Sequence, residues 1–175
     1  MLWLGSLDTI DRMTLVSLGI HLLFQASLAS GIEPPCAADD KNFIEVVAER
    51  SELYLCEGRQ ASKSFKVSLG SGGLDKKVQG DQKTPLGTYS LGVPRDSNRF
   101  FTFIPVGYPT GDQRARGFTG GDVGIHGPAR NLTWLGRANT WIDWTDGCIA
   151  VAYESEISEI AAWVKEKKAA AIVVR

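Results

Sequence analysis

The chain has 175 residues, of which 43% are hydrophobic and 22% charged, and its formal net charge is −1. That length holds one domain of ordinary size, with a core large enough to need no dense disulfide network. The composition excludes a disordered chain, and the balanced charge gives no general attraction to nucleic acid or to an anionic membrane surface.

The first feature in chain order is an apolar run from Met13 to Ala29. It is short for a bilayer span, which needs about 20 residues. Ser27 and Ala29 sit as small residues do ahead of a signal-peptidase cut. Residues 1–29 are therefore expected to be an export signal cleaved after Ala29, or an uncleaved N-terminal anchor. The flank is unusual, because Arg12 is the only positive side chain ahead of the run and Asp8 and Asp11 offset it. Residues 30–41, with Pro34, Pro35 and the Asp39-Asp40 pair, read as a linker or an extended lead-in. Pro34-Pro35 before Cys36 does not match a lipoprotein attachment motif.

Phe43 to Ala48 and Glu52 to Cys56 are β-rich, and Glu57-Gly58 suits a tight turn. Phe65, Val67 and Leu69 then alternate with Lys66 and Ser68, the period of a half-buried strand. Together these predict a meander, closed by the loop Gly70-Ser71-Gly72-Gly73. No Gly-Lys-Ser/Thr follows that glycine cluster, so it does not read as a phosphate cradle. Pro85 and Gly87 set a turn, Tyr89-Ser90-Leu91 resumes a strand, and Phe100 to Val106 predicts another. Four glycines from Gly117 to Gly124 lead into the strand residue Ile125 and an exposed His126.

One helix is expected near the C-terminus. Ile157, Ile160, Ala161 and Val164 fall on one helical face, with Ser155 placed to cap it. Glu156 and Glu159 near its start and Lys165, Lys167 and Lys168 at its end suit the helix dipole. Ala171 to Val174 reads as a last strand. Strands dominate without β-α-β alternation, so residues 42–175 are expected to be mainly β, an antiparallel sandwich-like or barrel-like domain with one packed helix.

The chemistry gathers at Thr145-Asp146-Gly147-Cys148-Ile149-Ala150-Val151. A thiol set after a glycine, at the edge of a short apolar run, is presented rather than hidden. Gly147 permits a strained turn that brings backbone N–H groups toward a bound carbonyl. The chain has two histidines, His21 and His126, and His21 lies in the segment expected to be removed. His126 is then the base best suited to serve Cys148. A free thiol titrates near pKa 8.5, and a neighbouring imidazolium would raise its thiolate fraction. With one histidine left and no Cys-x-x-Cys, no metal or other cofactor is expected.

Arginines concentrate around His126. From Arg95 to Arg137 there are six arginines, no lysine and three aspartates. They read either as solvated loop charge or as a cleft for a substrate bearing carboxylates. Trp134, Trp141 and Trp144 lie between His126 and Cys148. They suit loop packing, or a groove wall against sugar rings or peptide stems. The candidate substrate contacts are Arg130, Arg137, Trp144 and Asp146.

Lys83-Thr84-Pro85-Leu86-Gly87-Thr88-Tyr89, Gly124-Ile125-His126-Gly127 and Thr145-Asp146-Gly147-Cys148-Ile149 occur here in one order. In these segments the chain resembles the L,D-transpeptidase (YkuD-type) catalytic domain family, over about residues 42–175. The resemblance implies a β-rich fold, Cys148 as nucleophile, His126 as its base, and Gly147 with Cys148 as oxyanion donors. It also implies peptidoglycan stem peptides as substrate; with the export signal expected at the N-terminus, the protein is expected in the periplasm or cell wall, as a monomer. The chain departs from the family pattern in three places. The His126–Cys148 gap is long, Ala150 stands where an arginine is common, and Asp146 stands where a histidine is common.

The acceptor stays open among a stem-peptide amine, a wall-linked protein, a D-amino acid and water. With water the same pair would make a peptidoglycan hydrolase, and a binding module without turnover is the rival from another class. Three cysteines in an oxidising compartment leave at least one unpaired. The expectation is a Cys36–Cys56 disulfide with Cys148 free, the alternative being Cys56 as a small buried apolar residue.

Overall fold

The computed structural model describes residues 34–37 and 41–175. The expected signal or anchor at 1–29 and most of the lead-in lie outside those residues. The meander forms as expected, with β1 (Asn42–Val47), β2 (Glu52–Glu57) and β3 (Gln60–Ser68) pairing antiparallel in sequence. β-Branched, leucine and aromatic side chains fill the inward positions. Ile44, Val46 and Leu53 are fully buried, and Phe65 nearly so.

Six more strands complete the sheet: β4 (Gly87–Ser90), β5 (Arg95–Ser97), β6 (Phe101–Pro105), β7 (Gly124–His126), β8 (Ile149–Val151) and β9 (Ala171–Val174). The strand order is β4-β9-β1-β2-β3-β8-β7-β6-β5. β3 joins the two halves. Its start pairs with β2, while Val67 and Ser68 pair with Val151 and Ala150 on β8. The fold is mainly β and mostly antiparallel, with two parallel contacts, β1 with β9 and β7 with β8. A parallel pair needs a crossover of a dozen residues or more. For β7 and β8 that crossover is the long stretch between His126 and Cys148, much of it a 3₁₀ segment at Arg130–Thr140.

A five-residue helix, α1 (Gly111–Ala115), is held by a reciprocal cap between Thr110 and Gln113. The helix expected near the C-terminus is α2 (Glu154–Lys167), packed on β6 and β8. Ile157 and Ile160 are fully buried and Ala161, Trp163 and Val164 nearly so. Each large side chain contributes about 1.5–3 kcal/mol by leaving water. Ser155 is not the cap. It lies inside the first turn, and Glu156 instead reaches back to accept from the N–H groups of Ala152 and Tyr153. The longer side chain reaches back over the first turn, and one of its carboxylate oxygens accepts from both donors.

Cys36 and Cys56 form a disulfide, and Cys148 is free. The Cys36 N–H also donates to the buried Glu45 carboxylate, which pairs with Arg175 at the end of the chain. Pro34-Pro35-Cys36 is thereby tied to β1 and β2. Among the described residues no helix is long and apolar enough to cross a membrane.

Candidate active site

β7 is short because glycine brackets it and close packing requires that. A Cβ on Gly124 would overlap the ring of Phe103, and Phe103 is the β6 residue paired with His126. The His126 imidazole stacks on Phe100 at 3.8 Å between centroids, lies nearly parallel to Phe103 at 6.3 Å, and meets Trp144 edge-on at 5.9 Å. This cover makes His126 buried, 1% exposed, rather than exposed as the glycine-rich approach suggests. A glycine-rich stretch reports backbone freedom and says nothing of side chains arriving from Phe100 and Trp144.

His126 Nδ1 lies 2.7 Å from the Gly127 carbonyl oxygen. A carbonyl only accepts, so the proton sits on Nδ1 and Nε2 keeps its lone pair. Burial lowers the His126 pKa to about 4; the Gly127 carbonyl works against that shift and the Arg99 charge with it. The imidazole is therefore neutral at pH 7. A backbone carbonyl, not an aspartate, orients it. Asp143 accepts from the Leu69 N–H at 2.7 Å, and the Asp122 carbonyl oxygen accepts from the Cys148 thiol at 3.5 Å.

Cys148 stands at the end of a turn built by residues far apart in sequence. Gly147 has φ 119°, a conformation that side chains strongly disfavour, and a Cβ there would overlap the Lys83 carbonyl oxygen. Thr145 Oγ1 accepts from the Gly147 N–H at 3.1 Å and donates to the Cys148 carbonyl at 2.7 Å. The Gly147 N–H is thus engaged inside the turn and does not point free toward a substrate carbonyl. Thr84 Oγ1 accepts from the Gly70 N–H at 2.8 Å, and Gly70 bridges to Thr145. The Lys83-Thr84-Pro85 stretch and the glycine loop therefore support the cysteine turn from below.

The Cys148 thiol is half-buried, and burial raises its pKa. The Gly124 backbone N–H pulls it down, while the Asp146 and Asp122 charges push it further up. Both shifts favour a neutral imidazole and a neutral thiol over the expected imidazolium–thiolate pair. The cause is desolvation of both groups.

Cys148 and His126 line one cleft of about 410 Å³ together with Trp144, Asp146, Arg95 and Arg99. The Trp144 indole N–H donates to the Asn139 carbonyl at 2.9 Å, which fixes the ring at the cleft wall. Arg130 and Arg137 do not line it. Arg130 lies over the Phe101 ring at 4.0 Å and Arg137 over the Tyr153 ring at 5.8 Å, outside the cleft. Trp134 and Trp141 are also outside, 78% and 77% exposed. Arg95 and Arg99 belong to the arginine-rich stretch, but only the hairpin of β5, which lacks an apolar pattern, brings Arg95 on the strand and Arg99 in the turn after it to the site.

Comparison with known proteins agrees with this geometry. The family model of the YkuD L,D-transpeptidase catalytic domain matches residues 41–174. A protein of Escherichia coli strain K12 named "Putative L,D-transpeptidase YafK" is 32% identical over 108 residues, 58% of this chain and 44% of that protein. The match thus spans less than half of that relative. The helical cell shape determining protein Pgp2 from Campylobacter jejuni superposes with a TM-score of 0.61 at 25% identity, over 78% of this chain and 49% of that one. Bd1075 from Bdellovibrio bacteriovorus shares the fold, with a TM-score of 0.56 at 20% identity over 79% of this chain and 49% of that one. Fold, motif order and family match converge, and the chain belongs to the YkuD family of L,D-transpeptidase catalytic domains.

Proposed function

We propose that the protein is an exported cysteine acyltransferase that forms or exchanges L,D-peptide bonds in peptidoglycan stem peptides through an acyl thioester on Cys148. The observation that carries this reading is a free thiol and a neutral imidazole, its proton held on Nδ1, lining one cleft. As Sγ attacks the amide carbonyl, His126 Nε2 takes the thiol proton, and no separated charge need exist beforehand. The Cys148 N–H supplies the oxyanion donor, since Thr145 holds the Gly147 N–H. The imidazolium is short-lived in its buried setting and passes its proton to the departing amine as the C–N bond breaks. A second amine then attacks the thioester, its proton moves to Nε2, and the sulfur regains a proton as it leaves. The Cys36–Cys56 bond supports an oxidising compartment, the periplasm or the wall.

The test is intact-mass measurement after incubation with a diaminopimelate-containing tetrapeptide, for wild type and Cys148→Ala. A thioester adduct in wild type alone, followed by a new amide product, is expected. Shortened peptide without cross-linked product would make the protein a hydrolase. No adduct on a reduced Cys148 would overturn the reading.

A further inference from the structure

Two cations in the cleft have no ion-pair partner among the described residues. They are Arg95 and Arg99, which line it with His126 and Cys148. Their positions are built, not incidental. Arg95 on β5 pairs in register with Phe103 on β6, which pairs with His126 on β7, so the three form one cross-strand row. The Arg95 guanidinium lies 5.0 Å from the Phe103 ring centre, and the Arg99 guanidinium 4.9 Å from that of Phe100. Both rings in turn lie parallel or nearly so to the His126 imidazole. Each guanidinium is thus held by an aromatic face that leaves its N–H edge available. Asp96, between them in sequence, falls on the opposite face of β5.

The remaining charges divide the cleft. Its two acids, Asp122 and Asp146, act on the Cys148 sulfur, whereas the Arg99 charge acts on His126. Both acids also line an adjoining depression with Gln79, Gln82 and Lys76. Lys76 is not a free cation there, because its ammonium is buried against Asp81 at 2.7 Å. The positive end of the cleft is therefore the Arg95–Arg99 end.

We propose that Arg95 and Arg99 form a carboxylate-binding subsite that grips a free carboxylate of the donor stem peptide and sets its scissile carbonyl beside Cys148. The assignment rests on the acyltransferase reading for the identity of the donor. Forked guanidinium donors match a carboxylate geometrically, and two of them in the cleft that holds the general base select a donor carrying that group. Two carboxylates of a tetrapeptide could be the one held: the α-carboxylate of its last residue, or the side-chain carboxylate of its diaminopimelate.

The test separates these and does not depend on turnover. Peptide binding is measured by calorimetry on Cys148→Ala, and on the same protein carrying Arg95→Gln, Arg99→Gln or both. Three tetrapeptides are used: the free acid, its C-terminal amide, and its diaminopimelate side-chain amide. One amide is expected to bind roughly ten-fold to a hundred-fold more weakly than the acid, which names the carboxylate held. That preference should fall by up to about ten-fold with each arginine removed, shrinking in the single variants and vanishing in the double variant. Arg→Lys changes, which keep charge and lose the fork, should restore part of it. Equal binding of all three peptides, or a preference that survives in the double variant, would overturn the subsite. Thioester formation by wild type on the same free acid reports separately on the acyltransferase reading. A peptide that binds with this preference yet never acylates Cys148 would refute that reading and leave the subsite standing.

Discussion

The Lys83 carbonyl oxygen occupies the space that a Cβ on Gly147 would need. Two motifs 64 positions apart therefore meet at the nucleophile's turn, and the Thr-Pro-x-Gly stretch acts as its buttress. Gly147→Ala should push the turn off Lys83 and adopt a φ that alanine resists. We expect a stability loss of about 2–3 kcal/mol and at least a hundred-fold slower acylation of Cys148. Denaturant titration and adduct kinetics would show both. A Gly147→Ala enzyme acylating at the wild-type rate would contradict the buttress.

Acylation should stay fast in mildly acidic solution. With its pKa lowered to about 4, His126 remains an unprotonated base well below the ordinary imidazole value near 6.5. The acid limb of the acylation rate is expected near pH 4. Arg99→Gln should move that limb upward, because the arginine charge helps keep the imidazole neutral. Phe100→Ala should move it upward further by admitting water to the ring. A limb near pH 6.5 in wild type would mean that His126 is solvated.

The same buried imidazole links stability to pH. The unfolded chain binds a proton at His126 below about pH 6.5, whereas the folded chain does so only below about 4. Between these values the unfolded state holds more protons, so stability rises with pH and is lost as pH falls. Over that window the loss attributable to His126 is about 3 kcal/mol. Urea unfolding at pH 7 and pH 4 should show it, and His126→Gln should remove that component.

The disulfide should matter to stability and not to chemistry. Cys36 and Cys56 are 20 residues apart, and closing a loop of that size stabilises by about 3 kcal/mol on the chain-entropy account. The Cys36→Ser, Cys56→Ser double variant should lose roughly that much in thermal or denaturant unfolding. Cys148 acylation, assayed well below the melting temperature, should remain. Loss of acylation in a folded variant would show that the lead-in reaches the site.

The amino-acid sequence by itself determined the local pieces and their chemistry. Period-two alternation marked β3, helical spacing marked the buried face of α2, and the Gly-Ile-His-Gly and Thr-Asp-Gly-Cys stretches marked the pair that shares the cleft. These are short-range signals, carried by residues within a few positions of one another. Tertiary structure alone decided what depends on contacts between distant segments. β5 has no apolar pattern and forms because β6 offers it an edge, and that pairing brings Arg95 and Arg99 to the site while Arg130 and Arg137 go elsewhere. The burial of His126 comes from Phe100 and Trp144 closing over it. The neutral state of the pair follows from that desolvation, which no spacing along the chain encodes.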